Sequence, residues 1–109
     1  MKSYTNIEQS RKLAEILPHE SADMYYWCAD YYPKEDWIIE VGEPDDNYEC
    51  VCAWSLAALF SVLPNGDMLV KTTDGEYYCL AKDVMTKHYD NPIDACYEMI
   101  LKLHEQNLL

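Results

Sequence analysis

Basic residues are scarce in this chain: eight Lys and Arg stand against twenty Asp and Glu, a net charge of −12. A surface of that sign repels phosphate backbones and disfavours direct nucleic-acid binding. Long hydrophobic runs are missing too. The most apolar stretch, WSLAALFSVL at 54–63, is far short of the ~20 residues that span a bilayer, so no membrane association is expected. No C-x-x-C pair occurs, and the five cysteines (Cys28, Cys50, Cys52, Cys79, Cys96) are odd in number. In a reducing compartment they read as buried small hydrophobes rather than disulfides. G-x-G-x-x-G, P-loop and G-x-S-x-G signatures are all absent. Residues 1–17 carry Lys2, Glu8, Arg11, Lys12 and Glu15 with no apolar signal-peptide core, which makes the cytoplasm the expected location.

What is present is enough for a core. Half of the 109 residues are apolar, and a chain of this size reads as one domain over 1–109 that buries roughly two-thirds of its unfolded surface. In WSLAALFSVL only Ser55 and Ser61 interrupt the apolar run. A helix that is apolar all round has to be covered all round. The rest of the chain is therefore expected to wrap it.

Flanking segments supply the wrapping. Thr5-Asn6-Ile7-Glu8 fits a capping box with Thr5 as N-cap; Ile7, Ser10, Leu13, Ala14 and Leu17 then share a face up to Pro18. Ser21-Ala22-Asp23 suggests the start of a short second helix holding Met24, Tyr25, Trp27 and Cys28. Residues 37–41 (WIIEV) are strand-like, and Gly42 stops them. Residues 68–73 and 76–81 flank Asp74-Gly75, a hairpin signal. With a two-residue turn, Thr73 pairs with Glu76, Val70 with Cys79 and Met68 with Ala81. The drier face then carries Met68, Val70, Thr72, Tyr77, Cys79 and Ala81. A lone hairpin is marginal in water, so the 37–41 strand is expected to join it. After a polar connection at 83–90, Asn91-Pro92 opens a last helix, with Asp94 in its first turn. Its buried face is expected to hold Ile93, Cys96, Tyr97, Ile100, Leu103 and His104. The fold class is thus α+β: a small antiparallel sheet with the 68–81 hairpin, a central buried helix, and amphipathic helices at both ends.

Candidate chemistry is thin. Cys50-x-Cys52, with Cys28, Cys79 and three histidines, lacks the ligand spacings of structural zinc, so no metal is expected. Cys79 or Cys96 beside His88 or His104 would make a nucleophile pair, yet nothing local marks an activated thiol. A core cysteine and an edge histidine explain the same residues. Asp45, Asp46, Asn47 and Glu49 offer oxygen donors without the alternating ligands and central Gly of an EF-hand loop. Asp30, Glu35, Asp36 and Glu40 could pair for acid–base work, but carboxylates abound in this chain. No catalytic residue and no cofactor are assigned.

One stretch stands apart. Residues 21–50 hold nine acids against Lys34 alone, hence −8 of the −12, interleaved with Tyr25, Tyr26, Trp27, Tyr31, Tyr32, Trp37 and Tyr48. Aromatic rings give large contact area at low entropic cost. Trp27 and Trp37 read better as a roof over the core. Tyr31, Tyr32, Asp45, Asp46 and Tyr48 are the candidate partner-binding residues, and the acidity suits a basic protein partner. A variant of this reading is mimicry of DNA charge. The rings could equally form a homo-oligomer interface.

Two motifs, AWSLAALFSVLP at 53–64 and DNPIDACYEMILKLHEQ at 90–106, together with YTNIEQSRKLAEILP and ESADMYYW, carry a resemblance. The chain resembles small acidic proteins of gut Bacteroides-type bacteria, often encoded in prophages or mobile elements. The resemblance implies origin and architecture and transfers no activity. The leading expectation is a non-enzymatic interaction or accessory protein with an acidic aromatic surface. The alternative is a small hydrolase or metal-dependent enzyme with a site at the sheet edge.

Whether 54–63 stands alone can be weighed. Burying Trp54, Leu56, Leu59, Phe60, Val62 and Leu63 gains roughly 9–18 kcal/mol, and ordering ten residues costs on the order of 15 kcal/mol. The two nearly cancel, so the helix depends on its neighbours. Leu59→Asp should therefore unfold the whole domain; a cooperative thermal transition kept at the wild-type temperature would refute this.

Overall fold

The computed structural model describes residues 1–28, 37–44 and 49–109. In chain order it contains α1 (Ile7–Ala14), a 3₁₀ turn (His19–Ser21), β1 (Met24–Cys28), β2 (Ile38–Val41), β3 (Glu49–Ala53) and α2 (Leu56–Val62). There follow β4 (Met68–Lys71), β5 (Tyr77–Ala81), β6 (Val84–Met85) and α3 (Pro92–Glu105). The class is α+β, as expected. Among the described residues the strands make two antiparallel sheets, ordered β2-β1-β3 and β4-β5-β6. None of the described helices is long and apolar enough to cross a membrane.

α1 begins one residue later than its sequence suggests. Asn6 is the N-cap: its side chain accepts from the Gln9 amide at 2.8 Å, and Gln9 Oε1 accepts from the Asn6 amide at 3.1 Å. Thr5, the expected cap, is instead fully buried and occupied by Trp54, whose amide donates to Thr5 Oγ1 at 3.1 Å. A single bridge between Tyr4 and Ser55 ties this N-terminal segment to the chain just after β3.

The expected second helix is a strand. Met24-Tyr25-Tyr26-Trp27-Cys28 is rich in rings that suit a pleated, half-buried surface, and it lies between β2 and β3 as the middle strand. The capping residues proposed for that helix have other work. Ser21 Oγ donates to the Pro18 carbonyl at 2.6 Å and accepts from Trp54 Nε1 at 3.0 Å. The Asp23 carboxylate accepts from both the amide and the hydroxyl of Ser55, the N-cap of α2. β2 forms where expected, but it pairs with β1 (Tyr25 opposite Glu40, Trp27 opposite Ile38) and not with the hairpin.

The hairpin is one residue out of the expected register. Met68 faces Leu80, Leu69 faces Cys79, and Val70 faces Tyr78. The turn holds three residues, not two: the Gly75 amide donates to the Thr72 carbonyl at 3.0 Å, Gly75 sits at φ +82°, and the Thr72 amide donates to the Glu76 carbonyl. This is a type I turn closed by a left-handed residue, and one extra residue flips β4 against its partner. Leu69 therefore joins Tyr77, Cys79 and Ala81 on the core side, while Met68 and Val70 turn outward. The 83–90 connection is partly strand: β6 pairs back on β5 through Ala81 and Val84.

α3 is the central helix of the core. Asn91 caps it by accepting from the Asp94 amide at 2.9 Å, with Pro92 at the first position. It ends in a Schellman arrangement, with Asn107 left-handed at φ +56° and the Leu108 amide donating to Leu103. Its buried stripe includes Ala95 and Met99 and leaves His104 exposed and Tyr97 half-buried, rotated slightly from the expected face. The 54–63 segment, by contrast, is buried on one side. Trp54, Ala58, Leu59 and Leu63 reach the shared core, but Phe60 is 41% exposed. A seven-residue helix with one covered face needs less wrapping than its composition suggests.

The β5–β6 turn carries local strain, since Lys82 and Asp83 lie at φ +47° and +68°. Left-handed backbone costs a non-glycine residue about 1–2 kcal/mol, and Asn-Gly is the pair best suited to such a turn. Replacing Lys82-Asp83 with Asn-Gly should raise the melting temperature by several degrees. An unchanged or lower transition in a thermal melt would show that the strain is offset elsewhere.

Candidate functional site

Tyr31, Tyr32, Asp45, Asp46 and Tyr48, the candidate partner-binding residues, lie outside the described residues, as do Asp30, Glu35, Asp36 and Asn47. The described remainder of the acidic aromatic stretch is β1, β2 and the 42–44 segment. Here the rings divide by role. Tyr26 is structural: it is buried, its hydroxyl donates to the Thr5 carbonyl at 2.7 Å, and its ring meets Tyr4 edge-on at 6.2 Å. Burial first, and the neighbouring Tyr4 second, push its phenol above the ordinary range. Tyr25 is more open, and its hydroxyl donates to Glu40 Oε2 at 2.8 Å on the exposed side. Trp27 and Trp37 are half-buried. The guanidinium of Arg11 lies 5.8 Å from the centre of the Trp37 ring, a cation–π contact between α1 and the strand.

Beside this sheet is a cleft of about 340 Å³ lined by His19, Glu20, Glu43, Pro44 and Cys52. The 3₁₀ turn supplies the histidine and one glutamate, the segment after β2 supplies Glu43 and Pro44, and β3 supplies the thiol. Gly42 makes the bend at φ +114°, its amide donating to the Asp23 carbonyl at 2.9 Å. Burial pushes the Cys52 thiol up, only partly opposed by its own backbone amide. A nucleophilic cysteine needs the opposite shift. Among the described residues no three His, Cys, Asp or Glu side chains are grouped to hold a metal ion.

The proposed cysteine–histidine pairs are not assembled. Cys79 faces α3, where its sulfur is 3.8 Å from that of Cys96, both fully buried. His88 stacks on Tyr78 at 4.8 Å. Successive strand residues point to opposite faces, so His88 sits across the sheet from Cys79. The hydrogen bond with Cys96 and burial push the Cys79 thiol far up. His104 is exposed in the last turn of α3.

Two aspartates gained roles that composition did not signal. Asp94 is a hub: it accepts from Lys2 Nζ, Gln9 Nε2 and Asn91 Nδ2, each at 2.8 Å. Burial alone would raise its carboxyl, but these hydrogen bonds and the Lys2 charge outweigh it and hold it low. Asp67 is the reverse case. Both carboxyl oxygens are shielded from water without a hydrogen bond of good geometry among the described residues. Burial pushes its carboxyl up, and the Met68 amide offsets only part. That its carboxyl faces inward was not legible in the sequence.

No family model, curated protein or solved structure matches the chain.

Asp67 has a testable consequence. Its folded-state pKa lies above the unfolded value, so protonation favours folding, and that stability is lost as pH rises through the folded value. Asp67→Asn should therefore raise the melting temperature at pH 7 and lose that advantage toward pH 4. Parallel melts showing equal gain at both values would rule out the buried charge as the cause.

Proposed function

We propose that the protein is a non-enzymatic interaction protein that offers its acidic aromatic 25–48 surface to a basic protein partner. In this reading it is an accessory factor of a mobile element, the origin its resemblance implies. The observation that carries the reading is β2. Within four residues this strand exposes Ile38 (40%), Glu40 and Val41 (79%), with Glu43 following. It lies at the edge of the described sheet, next to Tyr25 and Trp27 of β1. Ile38 and Glu40 share a face with Tyr25 and Trp27, and Val41 lies on the other; an exposed apolar residue beside a carboxylate suits a partner whose lysines or arginines adjoin an apolar contact. Tyr31, Tyr32 and Tyr48 would add contact area, and Asp45 and Asp46 would add charge.

A partner of this chemistry binds faster and more tightly at low salt, because the attraction is screened beyond about 8–10 Å at physiological ionic strength. Affinity capture from bacterial lysate should retain a basic protein that elutes as salt rises. Neutralising Asp45 and Asp46 to Asn, with Glu40→Gln, should weaken that capture about tenfold or more. Capture indifferent to both salt and neutralisation would count against the reading.

A further inference from the structure

Cys79 of β5 and Cys96 of α3 are two thiols outside the 25–48 surface, held in contact from two separate elements. Their sulfurs are 3.8 Å apart and both residues are fully buried. The backbone is fixed on each side of that contact. The Cys79 amide donates to Thr86 Oγ1 at 2.9 Å, and the Thr86 amide donates to the Cys79 carbonyl at 3.0 Å. Tyr77 and Tyr89 exchange amide-to-carbonyl bonds of 2.7 and 2.8 Å, which tie the segment leading into α3 to β5. Asp94, two residues before Cys96, is held by Lys2 and Gln9.

Two thiols in contact can bind a metal, attack a substrate or join to each other. Among the described residues no three His, Cys, Asp or Glu side chains are grouped to hold a metal ion. His88 stacks on Tyr78 across the sheet and cannot take the Cys79 proton. Joining remains. We infer that Cys79 and Cys96 are a latent disulfide site, which a small-molecule disulfide such as oxidised glutathione converts into a covalent bond between β5 and α3. One thiolate attacks a sulfur of the oxidant, forming a mixed disulfide and releasing one glutathione. The second thiolate then attacks the protein-side sulfur, closing the Sγ–Sγ bond and releasing the other. The protein loses two hydrogens, and the oxidant takes them up as two thiols. Closure to ~2.05 Å brings the sulfurs together by roughly 1.8 Å, which rotation about the two Cα–Cβ bonds can supply. In the folded chain the first step is suppressed. Burial excludes the oxidant. The hydrogen bond with Cys96, burial itself and the charges of Asp67 and Glu98 keep Cys79 protonated, whereas the thiolate is the nucleophile. The site therefore reacts in chains whose α3 has opened, and the bond closes as α3 redocks. It then spans 17 residues of sequence and stabilises the fold mainly by restricting the unfolded chain.

The test compares reduced, unfolded chain diluted into excess oxidised glutathione with folded chain given the same oxidant. After the remaining thiols are blocked, trypsin releases Cys79 within residues 72–82 and Cys96 within 88–102. The bond then appears in non-reducing mass spectrometry as these two peptides joined. The joined pair should be the dominant cross-link of the refolded chain. Folded chain should acquire it at least about tenfold more slowly, at a rate that rises in mild urea. Thermal melts should place the cross-linked chain about 10 °C above the reduced one. That gain should vanish on adding dithiothreitol, a comparison made on the wild-type chain, and should be missing from Cys96→Ala treated in the same way. Dominant cross-links through Cys28, Cys50 or Cys52, equal rates in folded and refolding chains, or a Cys79–Cys96 bond that leaves the transition unchanged or lower would overturn the inference.

Discussion

The junction of Trp54 with Thr5 is the point on which the two halves of the molecule depend. The Thr5 amide donates to the Trp54 carbonyl at 3.0 Å, and the Trp54 amide donates back to the Thr5 hydroxyl. That hydroxyl also meets Ser10 of α1 at 2.7 Å, and the Thr5 carbonyl receives the hydroxyl of Tyr26. The indole itself is fully buried in the cluster that contains Leu13, Leu59 and the inner face of α3. The hydrogen bond from the first sheet reaches Thr5 and the apolar contacts of the helices reach Trp54, and these two residues are hydrogen-bonded to each other. Buried polar groups are costly when unpaired, and here the groups of Thr5 and Trp54 complete one another.

How much of this was legible depends on how local the cause is. The caps of α3 are written in adjacent residues, Asn91, Pro92 and Asp94, and they form as read. The hairpin was legible as a hairpin, but its register rested on whether Thr73 belonged to the strand or the turn, and that single residue inverted β4. Met24 to Cys28 failed as a helix because its Ser21 and Asp23 signals were local, whereas the pairing with β2 and β3 is not. Ser21 and Asp23 serve Trp54 and Ser55, more than thirty residues away. Nothing in a sequence window reports such a partner.

The candidate surface was legible as composition and less so as geometry. Acid and aromatic content marked 25–48, yet Tyr26 proved to be a structural strut, while Tyr25, one position away, lies on the opposite face of the sheet. Charge is uneven along the sequence as well: residues 21–50 carry −8 of the −12, whereas residues 68–89 balance to zero. Asp67 and Asp94 have the same side chain and opposite environments, one buried without a good donor and the other held by three. Only packing distinguishes them.

The placement of α3 bears on how the chain folds. It follows both sheets in the sequence, yet it supplies Ile93, Ala95, Cys96, Met99, Ile100 and Leu103 to the core, and Asp94 binds Lys2 across 92 residues of sequence. Contacts of such long separation form late, because the loop between them must first be closed. While α3 is undocked, the inner faces of the other helices and of the β4-β5-β6 sheet lack the surface that covers them, and apolar faces open in that interval favour aggregation.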